Sequence, residues 1–333
     1  PRAGGAHGRA LRRLVRPVAG GSMTAAAGRR PAASGTQVEL SVDRARAVVV
    51  EVGAGLRRYA VAGEELLDGY GTAEYAPVAR GQILAPWPNR VADGTYRFAG
   101  RRHQLPLTEP ERGNAIHGLT RWVNWTLTER EPDRARFEYV LHPQPGYPFT
   151  LALAVLYMLS AAGLTISMDA TNLGAAECPF GAGAHPYLTV GAERIDDCRL
   201  SAPGARWMRA DERLIPVATE AVAGTEYDFR QERAIGATEL DTGYSELVRD
   251  ADGLARVRLR DPTGGRGVTL WQDASFPYLM LFTGDGDPDP ARRRRGLGVE
   301  PMSCAPNALQ TGEGLLVLEP GETFTGSWGI AAG

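Results

Sequence analysis

The chain has 333 residues, 43% of them hydrophobic and 23% charged, with a formal net charge of -2. That balance supports a large buried core, excludes disorder of the chain as a whole, and shows no basic footprint for nucleic acid. The 37 basic residues are all arginine, which accompanies high alanine and glycine content and reads as coding bias, not phosphate chemistry.

Residues 1–35 are rich in Arg, Ala and Gly and contain no continuous apolar core, because arginines interrupt Leu11 to Leu14. This argues against a secretory signal and for a disordered or added tail. From Thr36 the pattern becomes that of strands. Gln37–Val42, Ala47–Val52 and Leu56–Val61 form an opening meander, punctuated by Gly53-Ala-Gly55. Arg134–Leu141 is a further strand. Phe149–Leu159 places Phe149, Leu151, Leu153, Val155 and Tyr157 on one face, and Gly163–Ala170 alternates in the same way, so the two form a hairpin of period two. More strands follow at Val257–Leu259, Val268–Trp271, Tyr278–Phe282 and Leu315–Leu318, with a glycine-dense hairpin loop at Pro262–Gly267. No stretch reads as a helix of ten residues.

Many short strands, separated by 41 glycines and 23 prolines, predict one all-β domain over residues 36–333, a large antiparallel sandwich. No nucleotide fingerprint is present. Cys178, Cys198 and Cys304 form no CxxC or Cys/His pattern, so the sequence offers neither a zinc site nor a disulfide framework and predicts a reducing, cytoplasmic setting. The longest apolar run, Leu151–Leu159, falls well short of the roughly 20 residues of a membrane helix.

Several polar residues stand in unusual surroundings. Asn89 and Arg90 follow Pro86-Trp-Pro88, where stiff backbone would hold a polar pair in place; an Asx turn with a surface arginine fits the segment equally well. His117 lies between Ile116 and Gly118, close to Trp122 and Trp125, whose rings offer either a face for a sugar or core packing. His185 follows Gly181-Ala-Gly-Ala184, small residues that leave room for an approaching group. Asp241 stands beside a glycine turn, and Glu300 lies between Val299 and Pro301, where apolar neighbours disfavour a charged carboxylate. The run Arg292–Arg295 reads first as a solvated loop paired with the aspartates of Asp285–Asp289. A sharper alternative has one or two of these arginines reaching the groove to bind a phosphate or sulfonate.

Together Pro88-Asn-Arg-Val91, Ile116-His-Gly118, Ala170-Thr-Asn-Leu173, His185-Pro-Tyr187, Asp241, Val299-Glu-Pro-Met302 and Leu318-Glu-Pro-Gly-Glu322 resemble, in order, the motifs of the aldose 1-epimerase (galactose mutarotase) family. The likeness spans about residues 37–330. Ala184 before His185, and leucine after the single Gly118, are closer to a divergent bacterial branch. The resemblance implies a β-sandwich with a sugar groove, no cofactor or metal, and a small-molecule sugar as partner, in a monomer or homodimer. It implies Glu300 as base on the anomeric hydroxyl, His185 as acid toward the ring oxygen, and Asn89, Arg90, His117, Asp241 and Tyr187 as sugar-binding residues. His185 and Glu300 should then face each other across about one sugar ring. A mutarotase of phosphorylated or sulfonated sugars and a non-catalytic sugar-binding protein are the alternatives.

Overall fold

The hairpin of Leu151–Ser160 and Gly163–Asn172 shows how the alternating pattern becomes architecture. Its register pairs Leu153 with Ala170, Val155 with Met168 and Tyr157 with Ile166, so one face of both strands is apolar and buried. The other face carries Thr165, Ser167, Asp169 and Thr171, half-buried. Such alternation is what an antiparallel sheet with one solvated face requires.

These features come from a computed structural model, which describes residues 31–263 and 265–333; most of the expected tail, residues 1–30, lies outside the described residues. Residues 32–35, assigned to that tail on composition, join the body. Ser34 is buried, and the Ala33 amide donates to the Thr72 carbonyl at 3.1 Å.

Two large sheets dominate. The first has nine strands. Its middle runs from Arg134–Leu141 through Leu151–Ser160 and Gly163–Asn172 to the C-terminal Thr323–Ala332, then to Gly267–Gln272 and Ala255–Arg260. The second has eight strands, with Asp241–Leu247, Tyr278–Phe282 and Leu297–Met302 side by side. The short strands Gly183–Ala184 and Tyr187–Leu188 pair with the far edge of Leu297–Met302. Neighbours run antiparallel throughout both sheets, and the opening strands Gln37–Val42, Ala45–Val50 and Gly55–Val61 make the expected meander.

The core between these layers includes Tyr59, Trp125, Phe137, Tyr157, Phe180 and Trp328. Among the described residues the one α-helix is Ala308–Thr311, and no helix is long and apolar enough to cross a membrane. The fold is thus the antiparallel β-sandwich that the sequence predicts.

The two faces of the Leu151–Ser160 strand should respond differently to truncation. Leu153→Ala leaves a cavity in the core and is expected to cost ~2–5 kcal/mol. Met158→Ala, on the exposed side, should stay within ~0.5 kcal/mol. Urea denaturation of the two variants checks the contrast.

Candidate functional site

Strand alternation places Glu300. On Leu297–Met302, Leu297 and Val299 turn into the sandwich core, so Gly298 and Glu300 face the opposite side. His185 comes to the same side because the segment between Gly183–Ala184 and Tyr187–Leu188 runs along that strand. The Val299 amide donates to the Pro186 carbonyl at 3.0 Å, the His185 amide donates to the Gln82 carbonyl at 3.1 Å, and the Gly81 amide donates to the His185 carbonyl at 2.8 Å. With its backbone held on both sides, the imidazole Nε2 lies 3.3 Å from Glu300 Oε1. Both residues are buried.

A second wall comes from the ribbon pairing Arg90–Ala92 with Asn114–Ile116. Asn89 and His117 sit at its end and bind each other. The His117 amide donates to the Asn89 carbonyl at 2.9 Å, and the Asn89 amide donates to His117 Nδ1 at 3.2 Å. Both adopt left-handed backbone, with φ of 55° and 62°, a conformation uncommon outside glycine that tends to persist where the surroundings enforce it. Gly118 follows at φ 71°, and a Cβ there would come 2.0 Å from the Ala85 carbonyl oxygen, so only glycine fits. Arg90 is buried, not a surface arginine. Its Nε donates to Glu109 Oε2 at 2.9 Å and its Nη2 to Glu109 Oε1 at 3.1 Å, while Nη1 and Nη2 each reach an Asp241 oxygen at 3.4 Å. Asn89, Arg90, Glu109, His117, Arg121, His185, Asp241 and Glu300 all line one groove of about 340 Å³.

Burial dominates the electrostatics. Desolvation, then the Asp241 charge, pushes the Glu300 carboxyl well above the usual carboxylate range, with Arg90 opposing. Desolvation, followed by the Arg80 and Arg121 charges, holds His185 down at about 3. His117 lies well below its ordinary value for the same first reason, reinforced by Arg121, His185 and Arg90. The two shifts run in opposite senses, favouring the protonated carboxyl and the neutral imidazole, so a proton can be shared across the contact and the two groups titrate as a coupled pair. Glu300 Oε2 and His185 Nδ1 have no protein partner.

His117, His185 and Glu300 also bring three candidate metal-ligand atoms within 4.8 Å of one another. The Asn89 amide, however, occupies the His117 Nδ1 lone pair, which puts the imidazole proton on Nε2. Neutral His117 then has no free lone pair for an ion and instead offers an N–H donor.

Several expectations need correction. Tyr187 does not line the groove. Its ring stacks on His185 at a centroid distance of 5.0 Å and an interplanar angle of 9°, its hydroxyl donates to the Val78 carbonyl at 3.2 Å, and the Arg80 guanidinium lies 4.1 Å above it. It supports the imidazole from behind. The small residues before His185 leave no room for a ligand, since a Cβ on Gly183 would meet Pro88 Cβ at 2.9 Å and the Pro301 oxygen at 3.0 Å. They let strands approach closely. His185 and Glu300 stand in direct contact, nearer than a sugar ring apart. Arg292–Arg295 do not reach the groove: Arg292 pairs with Glu74 and Asp289, Arg294 with Asp196 and Asp285, and Arg295 with Asp68, while Arg293 donates to the Asp287 carbonyl. The loop pairing read first from the sequence holds for Arg292 with Asp289 and Arg294 with Asp285, but Arg294 is buried, not solvated, and Asp68, Glu74 and Asp196 lie outside the loop. Of the two tryptophans, Trp125 is core and Trp122 is exposed.

Glu109 and Arg121 line the groove unannounced by the sequence. Nothing local marks Glu109 as the partner of an arginine 19 residues earlier, and Arg121 resembles any loop arginine until its place in the groove is seen.

A buried carboxyl with a raised pKa weakens the native state as pH rises. Above the ordinary carboxylate pKa the unfolded chain gives up this proton and the folded chain keeps it, so stability is lost until the folded value is reached. Glu300→Gln removes that penalty. Its melting temperature is expected to exceed the parent's by a few degrees at about pH 8, with the gap closing near about pH 4. Calorimetry across that range measures it, and a gap independent of pH would contradict the raised carboxyl.

A model of the aldose 1-epimerase family matches residues 36–330. Two proteins of Escherichia coli K12, both described only as uncharacterized, are similar in sequence. YihR is 34% identical over 290 residues, 87% of this chain and 91% of that protein. YphB is 26% identical over 244 residues, 73% and 80% of the respective chains. Among solved structures, the GalM/aldose epimerase homologue of C. elegans superposes with a TM-score of 0.80 at 17% identity, covering 90% of this chain and 98% of that one. The galactose 1-epimerase of Lactobacillus acidophilus NCFM does so at 0.75 and 22%, covering 89% and 94%. These structural likenesses concern the fold, and the match along nearly the whole folded sequence carries the conclusion: the chain belongs to the aldose 1-epimerase family.

Proposed function

We propose that the protein is an aldose 1-epimerase, interconverting the α and β anomers of a free hexose or related aldose. The observation that carries this reading is the buried contact of His185 with Glu300, 3.3 Å apart at the floor of the groove. Ring opening requires a proton to leave the anomeric hydroxyl O1 and a proton to reach the ring oxygen O5. A pair holding one mobile proton meets both needs with no net uptake. In the form with Glu300 ionised and His185 protonated, the carboxylate takes the O1 proton and the imidazolium protonates O5. The C1–O5 bond breaks as C1–O1 becomes a carbonyl, the C1–C2 bond rotates, and the reverse transfers close the ring on its other face.

Around this pair, the proposed sugar-binding residues supply donors and acceptors to the remaining hydroxyls. Arg90 presents guanidinium edges fixed by Glu109 and Asp241, Asp241 is the acceptor most open to solvent, Asn89 contributes its amide side chain, and His117 offers an Nε2 proton. Tyr187 acts by holding the His185 ring. Free, buried Cys178, Cys198 and Cys304 support a reducing, cytoplasmic setting. A non-catalytic sugar binder has no use for a desolvated acid–base pair, which weighs against that alternative.

Glu300→Gln and His185→Asn are each expected to lower the rate of anomer exchange by about 10²- to 10⁴-fold, with the fold intact by circular dichroism. Polarimetry or NMR exchange spectroscopy over a panel of aldoses measures this, and full activity in either variant removes that residue from the chemistry.

One observation favours an anionic sugar as the substrate. Arg121 lines the groove, burial lowers its pKa to about 10, its Nε has no partner, and no carboxylate pairs with it among the described residues. A partly desolvated cation without a counter-ion is unfavourable, and a phosphate, sulfonate or carboxylate on the sugar would relieve it. On this reading the wild type prefers an anionic aldose to its neutral parent, salt erodes the preference, and Arg121→Gln abolishes it. Steady-state anomer exchange at low and high salt tests this, and equal kcat/KM for the two sugars under all conditions excludes it.

A further inference from the structure

A second cleft, of about 990 Å³, shares no lining residue with the catalytic groove. The strand Gly55–Val61, the segments 65–74 and 189–194 and the loop 290–295 wall it. Six arginines line it against four carboxylates. Four of the arginines are answered: Arg58 by Glu65, Arg194 by Asp196, Arg292 by Glu74 and Asp289, and Arg295 by Asp68. Arg57 and Arg293 have no carboxylate partner among the described residues, and residues 1–30 and 264 contain no Asp or Glu to supply one.

Both of these side chains are nevertheless held. Arg57 donates from Nε to Gln37 Oε1 at 2.6 Å and from Nη1 to the Tyr70 carbonyl at 2.8 Å, and burial lowers its pKa. Arg293 donates from Nε to the Asp287 carbonyl at 2.9 Å. Arg57 Nη2 and Arg293 Nη1 and Nη2 donate to nothing among the described residues. Two guanidinium groups are thus oriented in advance with N–H groups unused, an arrangement that binds an oxyanion with little further ordering. The volume is at the top of the range of ligand sites, ~300–1,000 Å³, which exceeds one phosphate-sized ion and suits a small molecule with two anionic groups. Glu65, Glu74 and Glu193 among the arginines, and a net charge of -2, disfavour an extended nucleic-acid backbone.

The cleft also reaches the catalytic imidazole through contacts. Arg80, whose guanidinium covers the Tyr187 ring stacked on His185, is clamped by Asp68 and Asp287. Each jaw of that clamp is shared with a cleft arginine. Asp68 Oδ2 accepts from Arg80, and its Oδ1 lies 3.0 Å from Arg295 Nη2. Asp287 Oδ2 accepts from Arg80, and its backbone carbonyl accepts from Arg293. We propose that this cleft is an effector site for a small molecule bearing two anionic groups, phosphate or carboxylate, held by Arg57 and Arg293 and sensed at His185 through Asp68, Asp287, Arg80 and Tyr187. An anion in the cleft draws Arg293 and Arg295 toward itself. The two aspartates they share with Arg80 then readjust, and the guanidinium, Tyr187 ring and imidazole shift in turn. This goes beyond the epimerase reading and does not depend on it.

Calorimetric titration of the full chain with pyrophosphate, bisphosphoglycerate and citrate, beside inorganic phosphate as the single-group probe, tests the site. At least one two-group anion should bind about ten-fold more tightly than phosphate, and less tightly as salt rises. Arg57→Gln and Arg293→Gln should each weaken it about ten-fold, while Arg121→Gln in the catalytic groove and Arg230→Gln elsewhere leave it unchanged. Arg293 is exposed, so its variant decides the matter if Arg57→Gln fails to fold. Preference for the phosphates or for citrate supports the site either way and identifies the anion. In NMR spectra of protein with isotope-labelled histidines, the His185 resonance, assigned by its loss in His185→Asn, should shift with the midpoint that calorimetry gives. No binding at millimolar concentration, equal affinity for phosphate, an affinity that both cleft variants leave unmoved, or a His185 resonance that stays in place at saturation overturns the effector site. Loss of binding in Arg121→Gln alone also overturns it, since the anion then sits in the catalytic groove. None of these measurements requires turnover, so the epimerase reading stands or falls separately.

Discussion

The site depends on keeping a carboxyl and an imidazole in contact and dry. Desolvation disfavours the charged form of each, pushing Glu300 up and His185 down, and contact makes the proton of one available to the other. In water the same two residues would be a carboxylate and a partly protonated imidazole, each satisfied by solvent. Under the sandwich the neutral form of each is favoured, and one proton can pass between them. Glu300 Oε2 and His185 Nδ1, which lack protein partners, are the atoms left for a substrate or solvent to satisfy.

Such a pair has to be built from rigid parts. His185 is pressed by the Tyr187 ring, which is covered by Arg80, and Arg80 is clamped by Asp68 at 3.1 Å and Asp287 at 3.1 Å. His117 closes the other side, its ring 5.2 Å from that of His185. The stack of Arg80, Tyr187, His185 and His117 holds an orientation through packing, and it places a fixed positive charge where it opposes protonation of the imidazole. Arg90 is treated in the same way, caught between Glu109 and Asp241. Among the described residues the buried charges are paired, whereas half-buried Arg121 has no carboxylate partner, and that exception is what points outward to a ligand.

Much of the architecture was legible locally. The strand from Leu151 announces its buried face by alternation, the turns announce themselves by glycine and proline, and Glu300 stands out by its apolar neighbours. Residues whose meaning depends on distant partners were harder to read. The glycines before His185 looked like open space and prove to be close packing against Pro88 and Pro301. Tyr187, a sugar contact by family resemblance, is turned behind the imidazole by strand geometry. The arginine run read as a loop paired with its own aspartates, yet its members are held by Asp68, Glu74 and Asp196 from outside that loop as well as by Asp285 and Asp289.

The sequence by itself determined the all-β class, the main strands and the chemical types that could serve a sugar, because period and turn chemistry are properties of neighbours along the chain. Only the tertiary structure decided that His185 and Glu300 touch, that Glu109 anchors Arg90, that Arg121 lines the groove half-buried without a counter-ion, and that Trp122 is exposed while Trp125 is core. Those facts depend on burial and on charges supplied by other strands, such as Asp241 of Asp241–Leu247 acting on Glu300 of Leu297–Met302. Desolvation and Coulomb interaction act through space, and no local pattern encodes which distant residues will supply them.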